Sequence, residues 1–217
     1  MYLSDRDIQW AIDRKLLIVE VPDGVSPPKV DPSSIDLRLD RISESKVWDI
    51  EAYKNQIKIS GDDEPVLHVG AMKFKFGDLS KFLVEPPTRR AGETGQKVFQ
   101  NGEEVFIRPG GFLLWQTKEW VGTPNEDPRY ICFVDGKSTR ARAGLIVHLT
   151  APTIHAGWSG NVTLEIANVG PFTFGLKEDD VIAQLTVATI SSPPAKTHGE
   201  AGSSTVGQQH VGGKDPA

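Results

Sequence analysis

The sequence predicts a mainly β protein, an antiparallel barrel or jelly-roll-like sandwich with one helix at its N-terminus. Three observations carry this. Short apolar stretches recur from Ile35 onward. Turn-forming clusters separate them, among them Gly61-Asp62-Asp63, Pro109-Gly110-Gly111 and Thr123-Pro124-Asn125. The one amphipathic helical pattern sits at the start of the chain. Many short strands punctuated in this way close on themselves or stack as two sheets rather than form parallel βαβ units.

In order along the chain, Ser4 followed by Asp7 approximates a capping box, and Ile8, Ala11, Ile12 and Leu16 recur at helical spacing. This predicts a helix from about Asp5 to Lys15 that covers the sheet. Val19 to Pro32 holds several prolines and reads as an extended loop. Strands are predicted over Ile35–Leu39, Gln56–Ser60, Met72–Phe76, Glu104–Arg108, Phe112–Gln116 and Tyr130–Val134. Pro86 to Gly102 is polar and charged and reads as a solvated hairpin tip. Two units result: residues 1–190 as one domain, and residues 191–217 as a Gly/Ser/Pro-rich arm whose composition suits a flexible segment.

Composition narrows the function. The chain of 217 residues has a net charge of -5, so it carries no polyelectrolyte footprint for nucleic acid. A small polyanion remains compatible, because local arginines and backbone amides bind phosphate inside an acidic protein. The single cysteine, Cys132, excludes an intrachain disulfide framework and suits a reducing cytoplasm. It lies in the apolar run Tyr130 to Val134 and reads as a buried, inert thiol. No apolar stretch reaches membrane-spanning length, and Met1-Tyr2-Leu3-Ser4-Asp5-Arg6 is no signal peptide.

The stretch from Val134 to Gly170 concentrates the chemistry. Asp135 to Thr139 is a polar turn in which Ser138 or Thr139 can cap a short helical segment, with Gly144 as its left-handed stop. Ser138 and Arg142 are four apart and share a face. After the turn Ala156-Gly157-Trp158-Ser159-Gly160, Val162, Leu164 and Ile166 alternate with Thr163, Glu165 and Ala167. Glutamate is depleted in strands, so Glu165 in mid-strand marks a place for chemistry.

The runs D-G-K-S-T-R-A-R-A-G-L-I-V-H-L-T-A, I-H-A-G-W-S-G and T-L-E-I-A-N resemble the dCTP deaminase family, the metal-free branch of the dUTPase superfamily. Ser33-Ser34-Ile35-Asp36-Leu37-Arg38-Leu39 resembles the family's early strand motif, Phe106 to Pro124 its next hairpin, and Asp179 to Leu185 the superfamily's fourth motif. The resemblance covers most of residues 1–190, with extra length between about Asp40 and Gln100 that finds no counterpart. It implies a dUTPase-like fold, a homotrimer with sites shared between subunits, dCTP as substrate and dTTP as a feedback inhibitor. Mg²⁺ is expected to arrive with the triphosphate, and zinc is not expected, because the cysteines and the His-x-Glu signature of zinc deaminases are missing.

By the same resemblance Glu165 is the proton shuttle. Deamination adds water at C4 of cytosine, protonates N3 and expels ammonia, which takes a carboxylate that both accepts and donates. Ser138 would position the water with the Ala151 carbonyl, and Arg142 would orient the charges. Lys137 stands at the family's phosphate-binding arginine and lacks the bidentate fork. Thr139, Arg140, Thr153, His155 and Gln184 complete the expected substrate contacts. Gln208, in the arm segment Gly207 to Gly213, resembles the superfamily's closing arm without the aromatic that stacks on the base.

Each residue also has a plain structural reading: Glu165 as an ion-pair partner of Arg140 or Arg142, Ser138 and Thr139 as caps, His148 as a packed or interface histidine, Trp158 as a turn anchor, Gln184 as an outward strand residue. Two departures stand out. Where the family pattern has histidine-arginine-isoleucine-aspartate, this chain has Pro152-Thr153-Ile154-His155. His155 thus replaces the carboxylate that reads the sugar and, in dUTPases, activates water. Thr153 replaces an arginine, a polar contact for which Arg140, where the family more often has an apolar residue, is the expected compensation. The expected reaction is hydrolytic deamination of dCTP to dUTP and ammonia. A bifunctional enzyme that continues to dUMP, and a non-catalytic nucleotide-binding regulator, are the alternatives.

Overall fold

The structure is a computed structural model, and it describes residues 1–57, 64–67, 79–89 and 95–197. In chain order its elements are α1 (Asp5–Asp13), β1 (Ile18–Glu20), β2 (Val30–Asp31), β3 (Ser34–Arg38), β4 (Val47–Trp48), α2 (Ile50–Ile57) and β5 (Leu83–Val84). There follow β6 (Val98–Asn101), β7 (Glu104–Ile107), β8 (Phe112–Gly122), β9 (Tyr130–Gly136), α3 (Ser138–Arg142) and β10 (Leu145–Ile146). The chain then runs through β11 (Thr153–Ile154), β12 (Ser159–Asn168), β13 (Phe174–Leu176) and β14 (Val181–Thr189).

Two antiparallel sheets, in the orders β11-β9-β14-β3-β2 and β1-β8-β12-β10, share one hydrophobic core. Ile35, Leu37, Cys132 and Leu185 enter it from the first sheet, and Leu113, Trp115, Leu164 and Ile166 from the second. Leu164 and Ile166 are fully buried, so cutting either to alanine would cost about 2–5 kcal/mol. A third sheet, β13-β7-β6, and the pair β4-β5 lie beside the first two among the described residues. This is the mainly β, antiparallel fold with an N-terminal helix that the sequence predicts.

α1 forms where the periodicity placed it, with Ile8 and Ala11 buried. The Ser4 hydroxyl donates to the Asp7 carboxylate at 2.9 Å rather than accepting from a backbone amide. The Leu3 amide donates to the Val187 carbonyl and the Asp5 amide to the Pro32 carbonyl, which fixes the helix to the first sheet.

β8 is longer than predicted, because its polar half is also interior. Thr117, Lys118 and Glu119 are buried, and each has a partner. Arg38 meets Glu119 at 2.6 Å, and Lys118 meets Glu178 at 2.7 Å and Asp179 at 2.5 Å. Burial pulls the Lys118 pKa down, but hydrogen bonds to Asp179 and Glu178 outweigh it and leave it raised. Opposite this stretch the β12–β8 register shifts between Asn161 and Thr163. There the Val162 amide donates to the Thr117 hydroxyl and the Asn161 side chain to the Thr117 carbonyl, satisfying the bulge locally.

Four expectations change. Gln56 and Ile57 belong to α2 rather than to a strand, because Asp49 caps that helix by accepting from the Ala52 amide at 2.8 Å. The rest of that predicted strand, the one at Met72–Phe76 and the turn at Gly61-Asp62-Asp63 lie outside the described residues. The loop from Val19 to Pro32 has strand at both ends, in β1 and β2. The hairpin tip at Pro86 to Gly102 includes β6, whose Val98 and Phe99 are buried, with the Arg89 and Arg108 guanidinium groups 5.1 and 5.0 Å from the Phe99 ring centre. Finally, α3 has Lys137 at its cap position and no side-chain cap, so neither Ser138 nor Thr139 caps it.

Candidate functional site

The alternation predicted for β12 holds along its whole length: Val162, Leu164 and Ile166 are buried, and Thr163, Glu165 and Ala167 lie on the other face. β10 pairs only with Ala167 and Asn168. Past it the chain runs along Glu165 as a loop, and the Leu149 amide donates to Glu165 Oε2 over a long 3.4 Å. A cavity of about 330 Å³ opens here. Glu165, Thr163, Thr153, Ala151 and His148 line it together with Trp48, Phe112 and Leu114.

Those walls set the protonation of Glu165. Burial raises its pKa above the ordinary carboxylate value, opposed by the Leu149 amide, its own backbone amide and the nearby His148. A carboxyl group whose charged form is disfavoured by burial is better equipped to take and return a proton than a solvated one. His148 has its Nδ1 buried without a hydrogen-bond partner among the described residues. It is therefore a cavity-wall residue as well as a packed one.

α3 is a second locus. Gly144 stops it with φ +97, and a Cβ there would come within 2.3 Å of the Gly170 Cα. Ser138, Thr139 and Arg142 are exposed on α3 and Arg140 is half-buried, and none of them lines the Glu165 cavity. The single chain thus does not gather the expected trio of Glu165, Ser138 and Arg142. α3 packs on β10, which in turn pairs with β12 at Ala167 and Asn168. Nor does Glu165 form an ion pair with Arg140 or Arg142 among the described residues.

Lys137, at the head of α3, is bound instead to Asp36, with Asp31 at 3.5 Å. Asp31 also meets Lys29 at 2.6 Å, and that hydrogen bond lowers the Asp31 pKa although burial opposes it. Gln184 lies directly opposite Asp36 on β3 and Asp135 on β9. Lys137, Asp36 and Gln184 therefore form one polar neighbourhood at the start of α3.

His155 is exposed at the turn, and its carbonyl accepts from the Trp158 amide at 3.2 Å. Trp158 is buried in the core, as a turn anchor should be. The Gly157 amide donates to the Thr123 hydroxyl at 2.8 Å, and a Cβ on Gly157 would meet Thr197 at 2.7 Å. Thr197 is buried at this turn; Gln208 lies outside the described residues. Burial pushes the Cys132 thiol up to about 12, in keeping with an inert cysteine. No group of three or more His, Cys, Asp or Glu side chains that could hold a metal occurs among the described residues. No helix among them is long and apolar enough to cross a membrane.

Sequence reasoning missed Trp48, Phe112 and Leu114 as cavity walls and Asp31 and Asp36 as partners of Lys137. Phe112 and Leu114 were legible only as strand. Trp48 sits in the segment after Asp40 that matched no motif.

Comparison with known proteins gives one direction. A family profile described as "dCTP deaminase-like" matches residues 2–190. "dCTP deaminase, dUMP-forming" of Thermobifida fusca is 32% identical over 217 residues, covering 100% of this chain and 90% of that protein. The protein of the same description from a Nocardioides species is 35% identical over 217 residues, covering 100% of this chain and 93% of its own. "dCTP deaminase" of Natronomonas pharaonis is 30% identical over 211 residues, covering 96% and 91%. In fold alone, the chain is similar to the crystal structure of 2′-deoxycytidine 5′-triphosphate deaminase from Agrobacterium tumefaciens. That likeness has a TM-score of 0.53 at 17% identity and spans 86% of this chain and 47% of the other.

Proposed function

The chain belongs to the dCTP deaminase family, and on that footing we propose that it deaminates dCTP at the Glu165 cavity and carries the nucleotide on to dUMP. The observation that carries deamination is a half-buried carboxylate of raised pKa on the wall of a cavity sized for a pyrimidine ring. Glu165 takes a proton from water as the oxygen adds to C4 and passes it to N3. It then takes the proton of the new C4 hydroxyl and delivers it to the amine, so that the C4–N bond breaks, C4=O forms, and dCTP and water give dUTP and ammonia. A second water then cleaves the α–β phosphoanhydride and releases dUMP and pyrophosphate. The names of the Thermobifida and Nocardioides relatives, whose similarity spans the whole chain, support this second step over release of dUTP.

Ser138 and Arg142 complete the site from a neighbouring subunit of a homotrimer. Their exposure on α3, away from the Glu165 cavity, supports this. Lys137 and Gln184 face the phosphates, with Lys137 exchanging its carboxylate partners for the triphosphate. Mg²⁺ accompanies the triphosphate as part of the substrate. Ala151, Thr153 and His155 border the base and sugar, and dTTP competes for the same cavity.

His155 favours a second reading. It stands where the family pattern has the aspartate that activates water in the phosphoanhydride step, so release of dUTP is the product its chemistry supports. Incubation with dCTP separates the readings: ammonia with dUMP and pyrophosphate supports the first, ammonia with dUTP the second. No turnover, with a nucleotide-dependent rise in melting temperature, would make the chain a nucleotide-binding regulator.

A further inference from the structure

We propose that Trp48 is a base-binding residue of this enzyme, its indole forming the wall of the Glu165 cavity against which the pyrimidine ring of dCTP lies. This rests on reading that cavity as the nucleotide site. The placement follows from backbone register. The Lys46 amide donates to the Leu114 carbonyl at 2.7 Å, and the Leu114 amide to the Lys46 carbonyl at 2.8 Å. Leu114 in turn lies opposite Glu165 in the β8–β12 pairing. Lys46, Leu114 and Glu165 are therefore one antiparallel row, and residues directly opposite in such a row share a face. Two residues on from Lys46 the strand returns to the same face, which brings Trp48 to the side of Glu165. Trp48, Phe112 and Leu114 accordingly line one side of the cavity.

Trp48 is not there to fill the main core. Trp115 and Trp158 belong to the core cluster, and Trp48 does not. It is half-buried, and it also lines a separate apolar cavity of about 220 Å³ with Tyr53 and Phe82. Pairing of Trp48 with Leu83 on β5 holds the strand from behind. The indole is thus a partition between two cavities, flat and apolar, beside the carboxylate that acts on the base. A planar base gains from such a surface, whereas sugar and phosphates do not. Phe112 and Leu114 add apolar area, while Thr153 and Thr163 keep hydrogen-bonding groups on the same cavity.

The test compares Trp48→Ala, Trp48→Leu and Trp48→Phe with the unaltered enzyme, using dCTP as substrate and inorganic tripolyphosphate as a probe of the phosphate half. Trp48→Ala and Trp48→Leu are expected to raise KM for dCTP about 10- to 100-fold, the range of a lost base–aromatic contact, while Trp48→Phe stays within about threefold. Inhibition by tripolyphosphate should not change. The acid limb of kcat/KM should move to lower pH in Trp48→Ala, because water then reaches Glu165 and removes the burial that raises its pKa. His148 is the other titratable group on the cavity wall. Lys46, the charged group in the same row, donates to the Ser43 carbonyl and lies 3.8 Å from Glu85.

A KM within about twofold of the unaltered enzyme in Trp48→Leu overturns the proposal even if Trp48→Ala fails to fold. So does a loss of tripolyphosphate inhibition as large as the loss for dCTP, which marks collapse of the site. If the unaltered enzyme releases no ammonia from dCTP, the underlying function falls and Trp48 with it, an outcome distinct from a turning-over enzyme indifferent to Trp48.

Discussion

The Glu165 cavity and the α3 surface differ in how far one chain completes them. At Glu165, four parts of the chain converge: β12 supplies the carboxylate, β8 and β4 the apolar walls, and the segment from His148 to Thr153 the rim. At α3, Ser138 and Arg142 are exposed and neither lines that cavity. The cavity has environment without its expected polar helpers, and the helix has the helpers without an environment. A motif therefore identifies chemistry, but only packing decides where that chemistry is assembled.

The largest expected effect breaks the cavity half alone. Glu165→Gln should lower kcat by about 10²–10⁴-fold or more while leaving dCTP binding nearly unchanged. The carboxamide oxygen still accepts from the Leu149 amide, so the fold should persist. Ammonia release at the unaltered rate would remove Glu165 from the mechanism.

Lys137→Met tests the α3 half at the phosphates. It should raise KM for dCTP about tenfold with kcat little changed, the cost of one charged contact common to ground and transition states. A fall in kcat with KM intact would place Lys137 at the reacting base instead.

A smaller effect reads the burial of Glu165 directly. Its raised pKa means the folded chain holds that proton more tightly than the unfolded chain does. The resulting stabilisation is fully present below the unfolded value and is lost as pH rises through the folded one. Glu165→Gln should therefore melt above the unaltered protein at pH 8, with the gap closing as pH falls toward the ordinary carboxylate range. An equal gap at every pH would mean that Glu165 is no more buried than a surface carboxylate.

The smallest expected change is at the exposed turn. His155→Asp should lower KM for dCTP about two- to threefold, because a carboxylate offers a sugar hydroxyl more acceptor positions than an imidazole does. An unchanged KM would leave His155 as a turn residue.

These regions also differ in how legible they were. Local signals were read well: the period of α1, the alternation around Glu165, the left-handed stop at Gly144, the buried Cys132. Non-local ones were not. Lys137 is held by Asp36, 101 positions away in the chain, and Glu119 by Arg38, 81 positions away; no spacing rule links such pairs. The buried polar half of β8 looked like a strand end because its partners come from other elements. Trp48 was invisible as a site residue because register with Leu114, not its own neighbours, brings it to Glu165. The helix after Asp49 was passed over for a strand because its cap is one residue followed by mixed propensities.

The division of the site between two chains is tested most directly by subunit mixing. Ser138→Ala and Glu165→Gln chains, each inactive alone, are co-expressed and assayed for ammonia release from dCTP. If the cavity of one subunit meets α3 of another, mixed assemblies contain some sites with both residues intact. Activity should then exceed the sum of the two parents. Activity no greater than that sum, in assemblies shown to contain both chains, would contradict the shared site and return Ser138 and Glu165 to a single subunit.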